Sequence, residues 1–247
     1  MKKLNEINIM TKIMSLKDIK KLLLEIFFPE SCIVCSKFGE IVCYECREEI
    51  KKDKTNNENI KNINWIHANL SYKNEKLKKV LFSIKYYYLK LASKYLAKIV
   101  YEDFYNFLKD KLSFYVGQEL IIIPIPISKK RLIERSYNQT EILIKEIVKE
   151  IKDTENLDLR GNIYIDLLIK NKHTIKFAKT HSPTEREDLI KDAFNVNQNY
   201  KKEFLENKII ILFDDITTTG STFYEARNTL VKSGAKRENI FGYAIAH

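Results

Sequence analysis

Residues 214–222 have the composition and spacing of a phosphate-binding turn. An apolar stretch at 209–213 precedes them, and residues 223–231 follow with helical periodicity. In an open α/β sheet, ligands bind beyond the carboxyl ends of the strands, where helix N-termini offer free N–H groups to anions. Gly220 lets the backbone approach a phosphate closely, and neighbouring hydroxyls add donors. These hydroxyls belong to Thr217, Thr218, Thr219, Ser221 and Thr222.

Asp214 and Asp215 precede this turn and indicate a second part of the ligand. Because carboxylates repel phosphate, the pair suits a sugar's vicinal hydroxyls or a bound Mg²⁺. A P-loop would need a lysine before its serine, but Gly220 is followed directly by Ser221. Aspartyl-phosphate phosphatases separate their two aspartates by one residue, whereas these are adjacent. The alternative is an acidic helix cap followed by a threonine-rich first turn.

A second chemical signal is a set of four cysteines, Cys32-x2-Cys35-x7-Cys43-x2-Cys46, with Gly39 between the two pairs. Four such thiolates can converge tetrahedrally on one Zn²⁺. They would leave no coordination position open for substrate or water, so the predicted zinc is structural. A disulfide pair is the alternative, but nothing in the sequence suggests export to an oxidising compartment.

The composition bounds the kind of protein. The chain has 247 residues, 45% of them hydrophobic, which suffices for one main domain and a small module. No stretch approaches the ~20 apolar residues of a membrane helix, so we expect a soluble, cytoplasmic protein without a membrane span. A net charge of +10 favours polyanionic partners such as nucleic acid or phosphorylated metabolites.

The periodicity predicts three units and an α/β fold. The units are residues 1–31 with an amphipathic helix at 17–28, a cysteine module and polar linker at 32–61, and a main domain at 62–247. Strands are predicted at 65–72, 119–127, 208–213 and 240–245, and helices at 77–99, 140–151 and 223–231, the last capped by Gly234. Such alternation is typical of a mainly parallel sheet flanked by helices.

A basic segment after the strand with two prolines suits a second, highly charged phosphate group. Its residues are Ser128, Lys129, Lys130 and Arg131, with Arg135 a turn further on. A solvated basic surface loop is the alternative interpretation.

These motifs together resemble two related groups of proteins. Residues 214–222 resemble the phosphoribosyl pyrophosphate motif of type I phosphoribosyltransferases. The whole chain resembles the ComF family of competence proteins, which join a cysteine zinc module to such a domain. The matching pieces are Phe28-Pro29 before the first cysteine pair, Ile84-Lys85-Tyr86, Pro124-Ile125-Pro126, Arg135-Ser136-Tyr137-Asn138-Gln139, Glu185-Arg186 and Ala193-Phe194-Asn195-Val196. Two departures are Ser136, where the family usually has glycine, and His181, where a glutamine is common; the second bears on a catalytic loop expected at 172–186.

The resemblance implies a type I phosphoribosyltransferase-like fold and a ligand, Mg²⁺-bound phosphoribosyl pyrophosphate. Asp214 and Asp215 would bind the ribose hydroxyls, residues 217–222 the 5-phosphate, and residues 128–131 with Arg135 the pyrophosphate. Replacing either aspartate by alanine is then expected to weaken ligand binding and leave the fold intact. No residue set announces an acceptor pocket, so both group transfer and binding without turnover stay open. The rival to a competence function is a salvage or amidotransfer phosphoribosyltransferase with no role in nucleic-acid binding.

The family's function in DNA uptake during natural transformation also implies a nucleic-acid partner. Lysines stud the helix at 77–99, and three consecutive tyrosines interrupt it, a mixture that can hold single-stranded DNA by charge and base stacking. The candidate contacts are Lys85, Tyr86 and Tyr87. A competence helicase or a DNA-processing protein is the protein partner that the resemblance brings into consideration.

Overall fold

A computed structural model describes residues 31–55, 63–86, 90–115, 117–171 and 193–247. The predictions of a helix at 17–28 and a catalytic loop at 172–186 lie outside these residues, as does Tyr87. No helix in the described ranges is both long enough and apolar enough to cross a membrane.

A four-stranded parallel sheet forms the centre of the protein. Its strands are β1 (Ile66–Leu70), β2 (Glu119–Pro124), β5 (Lys208–Ile216) and β6 (Ile240–Ala246). They lie in the order β1-β6-β5-β2, so β5 pairs with β6 on one side and with β2 on the other. Because all four strands run in one direction, the loops that follow them meet at the same edge. A separate antiparallel pair consists of β3 (Leu168–Lys170) and β4 (Phe194–Val196).

Seven helices in the described residues accompany the strands. They are α1 (Tyr44–Lys52), α2 (Glu75–Tyr86), α3 (Lys90–Phe114), α4 (Lys129–Arg135), α5 (Gln139–Glu155), α6 (Lys202–Leu205) and α7 (Ser221–Lys232). Two 3₁₀ turns, Arg160–Asn162 and Arg237–Asn239, complete the connections. The α/β fold with a mainly parallel sheet flanked by helices, predicted from the sequence, is confirmed.

Alternate residues of β5 divide the core into two layers. Ile209, Ile211 and Phe213 pack with α2, α3 and α5 on one face of the sheet. Ile210 and Leu212 pack on the other face with α7 and the β3–β4 pair. A strand that is apolar on both sides must be covered on both sides, which explains its uninterrupted run of isoleucine and leucine.

Element boundaries depart from the sequence predictions in three places. The structure has two helices, α2 and α3, where one helix was predicted over 77–99, and residues 87–89 between them lie outside the described part. Strand β5 continues through both aspartates to Ile216. The basic segment after β2 is a short helix, α4, with Ser128 as its N-cap, and not a loop.

The cysteine module is built into the main core. Val42 and Ile50 are fully buried and belong to the same apolar cluster as Leu70 and Phe104. Thr55 N–H donates to the Asn69 carbonyl at 3.0 Å, which ties the segment after α1 to β1. Removing the module would therefore expose part of the core beneath it.

Candidate functional site

The four cysteines form one compact cluster. Their Sγ atoms all lie within 4.8 Å of one another, and those of Cys35 and Cys43 are 3.6 Å apart. Ligands about 2.3 Å from a zinc ion at tetrahedral angles would be about 3.8 Å apart. The N-terminal knuckle turns through Ser36 and Gly39, both with positive φ, whereas Cys43 is the N-cap of α1 and Cys46 lies in its first turn. The residues present thus fit a structural Zn²⁺, as the spacing predicted.

The electrostatics of the cluster also favour a cation. Burial opposes ionisation of Cys32, but hydrogen bonds from the Cys43, Cys35 and Val34 backbone prevail and lower its pKa to about 6. Burial and the neighbouring sulfurs raise the pKa of Cys46, and burial raises that of Cys43. Without a metal, the cluster therefore favours the Cys32 thiolate and disfavours those of Cys43 and Cys46. A bound zinc would supply the positive charge that allows four thiolates.

The predicted phosphate segments leave adjacent strands at the carboxyl edge of the sheet. Strand β2 pairs with β5 through Pro124 and Phe213, and the Ile125 N–H donates to the Phe213 carbonyl at 2.8 Å. Asn138 donates from Nδ2 to the Ile125 carbonyl at 3.2 Å and caps α5. These bonds fix the segment that leads into α4 beside the aspartates at the end of β5. Residues almost ninety positions apart in sequence are thereby neighbours in space.

The turn between β5 and α7 has the backbone geometry of an anion-binding loop. Gly220 is the N-cap of α7 with φ +74°, and it supplies no side-chain cap to the first turn. The positive φ favours glycine, and an added Cβ would lie 3.0 Å from both Ile63 Cδ1 and Ile66 Cδ1, so those two side chains would have to shift. Thr219 Oγ1 and Ser221 Oγ are 2.7 Å apart. The first turn of α7 contains no acidic residue, which keeps its amide end positive.

The two aspartates occupy different environments. Asp215 is buried, and its Oδ2 atom forms an ion pair with Lys85 Nζ of α2 at 2.6 Å. Asp214 is half-buried, and its Oδ1 atom accepts the Asp215 N–H at 2.8 Å. Burial and the adjacent Asp215 charge raise the pKa of Asp214 well above its ordinary value, against the influence of Lys85. One aspartate is therefore neutralised internally, and the other is poised to gain a counter-ion.

The basic helix α4 presents most of its charge to solvent. Lys129, Lys130 and Arg131 are exposed, whereas Arg135 is buried. The Arg135 guanidinium donates to Gln139 Oε1 at 2.8 Å and lies over the Tyr86 ring at 5.1 Å. In this arrangement Arg135 joins α4 to α5 and α2, and its direct contact with a pyrophosphate stays a prediction.

Ser136, which stands where the resemblance leads one to expect glycine, ends α4 in the left-handed region with φ +61°. Glycine takes this conformation without strain, so the serine keeps the same turn with some backbone strain.

Lys170 is a residue that sequence reasoning missed. It lies at the end of β3, and its Nζ atom is 5.3 Å from the centre of the Phe194 ring. Burial, with the Arg131 charge, lowers its pKa, while Asp214 acts in the opposite direction. Lys170 therefore lies within electrostatic reach of both the aspartates and α4. No sequence signal identified it, because residue 170 lies beside Phe194 only in the folded β3–β4 pair.

The candidate DNA contacts are only partly available. Lys85 is committed to Asp215, and its side chain is 18% exposed. Tyr86 is 53% exposed and packs against Phe82 with ring centroids 4.5 Å apart. Tyr87 lies outside the described residues. The prediction for Lys85 as a DNA contact is untested, but its ion pair makes it a part of the aspartate site first.

Taken together, the geometry defines an α/β protein with a parallel sheet, a four-cysteine cluster and a polar, charged site at one sheet edge. No protein-family model matches the chain. The chain is similar to Competence protein F of Haemophilus influenzae, with 30% identity over 51% of this chain and 50% of that protein.

The chain is also similar to Competence protein ComFC of Streptococcus pneumoniae, with 29% identity over 56% of this chain and 53% of that protein. Competence protein ComFC of Bacillus subtilis is 30% identical over 49% of this chain and 42% of its own length. The chain thus spans about half the length of the curated relatives it matches.

Proposed function

We propose that this protein is a phosphoribosyltransferase-like competence protein that binds Mg²⁺-chelated phosphoribosyl pyrophosphate and single-stranded DNA during DNA uptake. The competence proteins to which it is similar support the biological part of the proposal. The cysteine cluster supports a structural zinc ion beside the binding domain.

The observation that carries the ligand assignment is the meeting of three features at one sheet edge. The glycine-capped start of α7 can take a phosphate, the aspartates at the end of β5 can accept from sugar hydroxyls, and the exposed cations of α4 can meet a pyrophosphate. A ligand with two separated phosphate groups on one sugar satisfies all three. A simple phosphate would leave the aspartates facing like charge.

Magnesium would accompany the ligand. Lys85 already balances Asp215, so the aspartate pair offers at most one uncompensated negative charge to a cation. Mg²⁺ retains several waters and is commonly bound by one or two carboxylates together with substrate phosphates. The metal would therefore be held mainly by the ligand's own oxygens, with Asp214 as its contact to the protein.

Calorimetric titration of the full chain with phosphoribosyl pyrophosphate and Mg²⁺ tests the ligand. We expect binding by the wild type, and at least tenfold weaker binding by Asp214→Asn and by a Lys129→Ala/Lys130→Ala double variant. Asp110→Asn, an exposed change on α3, is the matched control and should bind as the wild type does. No binding by the folded wild type, or equal binding by all variants, would contradict the proposal.

A pyrophosphate-release assay with purine, pyrimidine and amine acceptors addresses catalysis. Turnover of any acceptor would favour the salvage or amidotransfer enzyme, whereas binding without release would leave the domain as a ligand sensor. Pyrophosphate departs through a transition state with growing negative charge, so the cations of α4 are the residues whose loss should slow any such reaction most.

A further inference from the structure

Two adjoining pockets lie beside α2, and Lys85, the partner of Asp215, is among the residues that line the first of them. The first has a volume of about 940 Å³ and lies between Ile33 of the cysteine module, α2 and Ile216. The second has a volume of about 580 Å³ and reaches Thr217 and Thr218 of the phosphate turn. Tyr72 and Lys78 line both pockets, so the two form one continuous depression. We name it the α2 groove.

Aromatic rings line the groove although solvent reaches them. Phe82 is 49% exposed, Tyr86 is 53% exposed, and their rings pack one helical turn apart. Tyr72 is 37% exposed, and the Lys78 ammonium lies 5.6 Å from its ring centre. Clustered apolar surface left in water inside a concave site is typical of a binding surface. Solvent-exposed aromatic rings of this kind can stack with flat, unpaired nucleobases.

The charge of the groove is of one sign. Three lysines line each pocket and one of them is shared, so five lysines line the groove, and no aspartate or glutamate is among its described lining residues. Four of these cations already have partners. Lys85 pairs with Asp215 at 2.6 Å, and Lys54 lies 3.9 Å from Asp103. Lys79 Nζ donates to the Val34 carbonyl at 3.0 Å, and Lys78 pairs with Glu75 at 2.6 Å on the exposed surface. Lys73 is exposed and forms no ion pair within the described residues. The groove therefore complements a polyanion.

We infer that the α2 groove is the binding site for single-stranded nucleic acid, with bases stacked on Phe82 and Tyr72 and phosphates beside Lys73 and Lys78. A duplex hides the faces of its bases, whereas a single strand can insert them into a concave, ring-lined site. Among the described residues that line the groove there is no acidic side chain that would attract a basic peptide. The choice of DNA as the strand rests on the proposed function; the location rests on the pockets, the rings and the charge.

Fluorescence anisotropy of a labelled oligothymidylate with the full chain, over a series of salt concentrations, tests the assignment. Phe82→Ala and Tyr72→Ala are each expected to weaken binding about tenfold with an unchanged salt slope. Lys73→Gln is expected to reduce the slope of log K against log salt by about one. Phe114→Ala and Lys236→Gln, both exposed and outside the groove, are the matched controls and should bind as the wild type does.

Thermal melts and a titration with Mg²⁺ and phosphoribosyl pyrophosphate verify that the groove variants are folded. Unchanged DNA affinity in all three folded groove variants would overturn the groove assignment and leave DNA binding elsewhere intact. No strand binding by the wild type near physiological salt would overturn both the groove and the DNA part of the proposed function. Full displacement of the strand by free nucleobases would mark the groove as an acceptor pocket and overturn its assignment to nucleic acid.

Discussion

The cysteine cluster and the candidate phosphate site at the carboxyl edge of the sheet are assembled in opposite ways. All four cysteines lie within residues 32–46, and local turns bring their sulfurs together. The candidate phosphate site combines Lys85 from α2, basic residues from α4, Lys170 from β3 and the aspartates from β5. The first site follows from spacing alone, whereas the second exists only when distant elements pack correctly. Perturbations should therefore act locally in one and spread through the fold in the other.

The largest expected effect is the loss of the metal. Cys46→Ser, or a strong chelator, should destabilise the protein by more than about 4 kcal/mol, because a bound zinc would hold together a module that covers part of the core. Thermal unfolding and metal analysis of the reduced protein measure this, with about one zinc per chain expected. Lys37→Ala, an exposed change within the same module, is the control and should melt as the wild type does. A metal-free wild type of equal stability would refute the structural zinc.

The next effect comes from the ion pair between Asp215 and Lys85. Asp215→Ala should destabilise the protein by about 3 kcal/mol, because it leaves Lys85 with little solvent and without its direct counter-charge. The sequence alone led us to expect an intact fold after this change. Lys85→Met combined with Asp215→Ala should recover part of the loss, since both charges are then absent.

Urea denaturation of the two single variants and the double variant tests this ion pair. The exposed pair Lys145 and Glu141 serves as the comparison, and its loss should change the free energy of unfolding by only about 0.5 kcal/mol. Equal effects for the two pairs would mean that the Asp215 site is not a buried part of the fold.

The glycine at the start of α7 should give a smaller loss of stability and a clear loss of binding. Gly220→Ala places a side chain at φ +74° against two isoleucines, with an expected destabilisation of about 1–2 kcal/mol. The displaced turn should also weaken binding of phosphoribosyl pyrophosphate. Gly161→Ala is matched chemically but has open space and no positive φ, so it should change neither property. Equal ligand affinity in the Gly220→Ala and Gly161→Ala variants would show that the turn does not contribute to ligand binding.

The smallest effect concerns Asp214 and depends on pH. Since its folded pKa is raised, the protonated form stabilises the fold at low pH, and this contribution is lost as pH rises through the folded value. Asparagine stays neutral at every pH, so the Asp214→Asn variant does not lose this stability as the pH rises. The variant should therefore match the wild type below about pH 4 and become progressively more stable above it in the absence of ligand. Denaturation at several pH values measures the difference. A constant difference at all pH values would contradict the raised pKa.

The same contrast explains what the sequence could predict. Strands β1, β2, β5 and β6 and helices α5 and α7 were predicted because their apolar periods are long and regular. Gly234, at φ +110°, follows α7 as expected. The cysteine cluster and the aspartate-glycine turn could be predicted because each lies within a short segment of the sequence.

The short elements escaped prediction for a physical reason. α4 and the β3–β4 pair are too brief to show a period, and their conformations depend on contacts with the rest of the fold. The contribution of Lys170 depends on where that pair packs. The pairing of Lys85 with Asp215 joins residues that only the folded chain brings together, so a lysine predicted as a DNA contact was found paired with an aspartate of the candidate site.

Two consecutive residues of α2 join the two sites: Lys85 pairs with Asp215 at the sheet edge and also lines the groove, and Tyr86 packs with Phe82 along it. A rigid helical turn cannot shift one without moving the other. If a sugar diphosphate and a DNA strand occupy their proposed places, each changes the affinity for its counterpart by the same factor. The affinity for DNA would then depend on the cell's concentration of an activated sugar, and a single turn of α2 would couple the two sites.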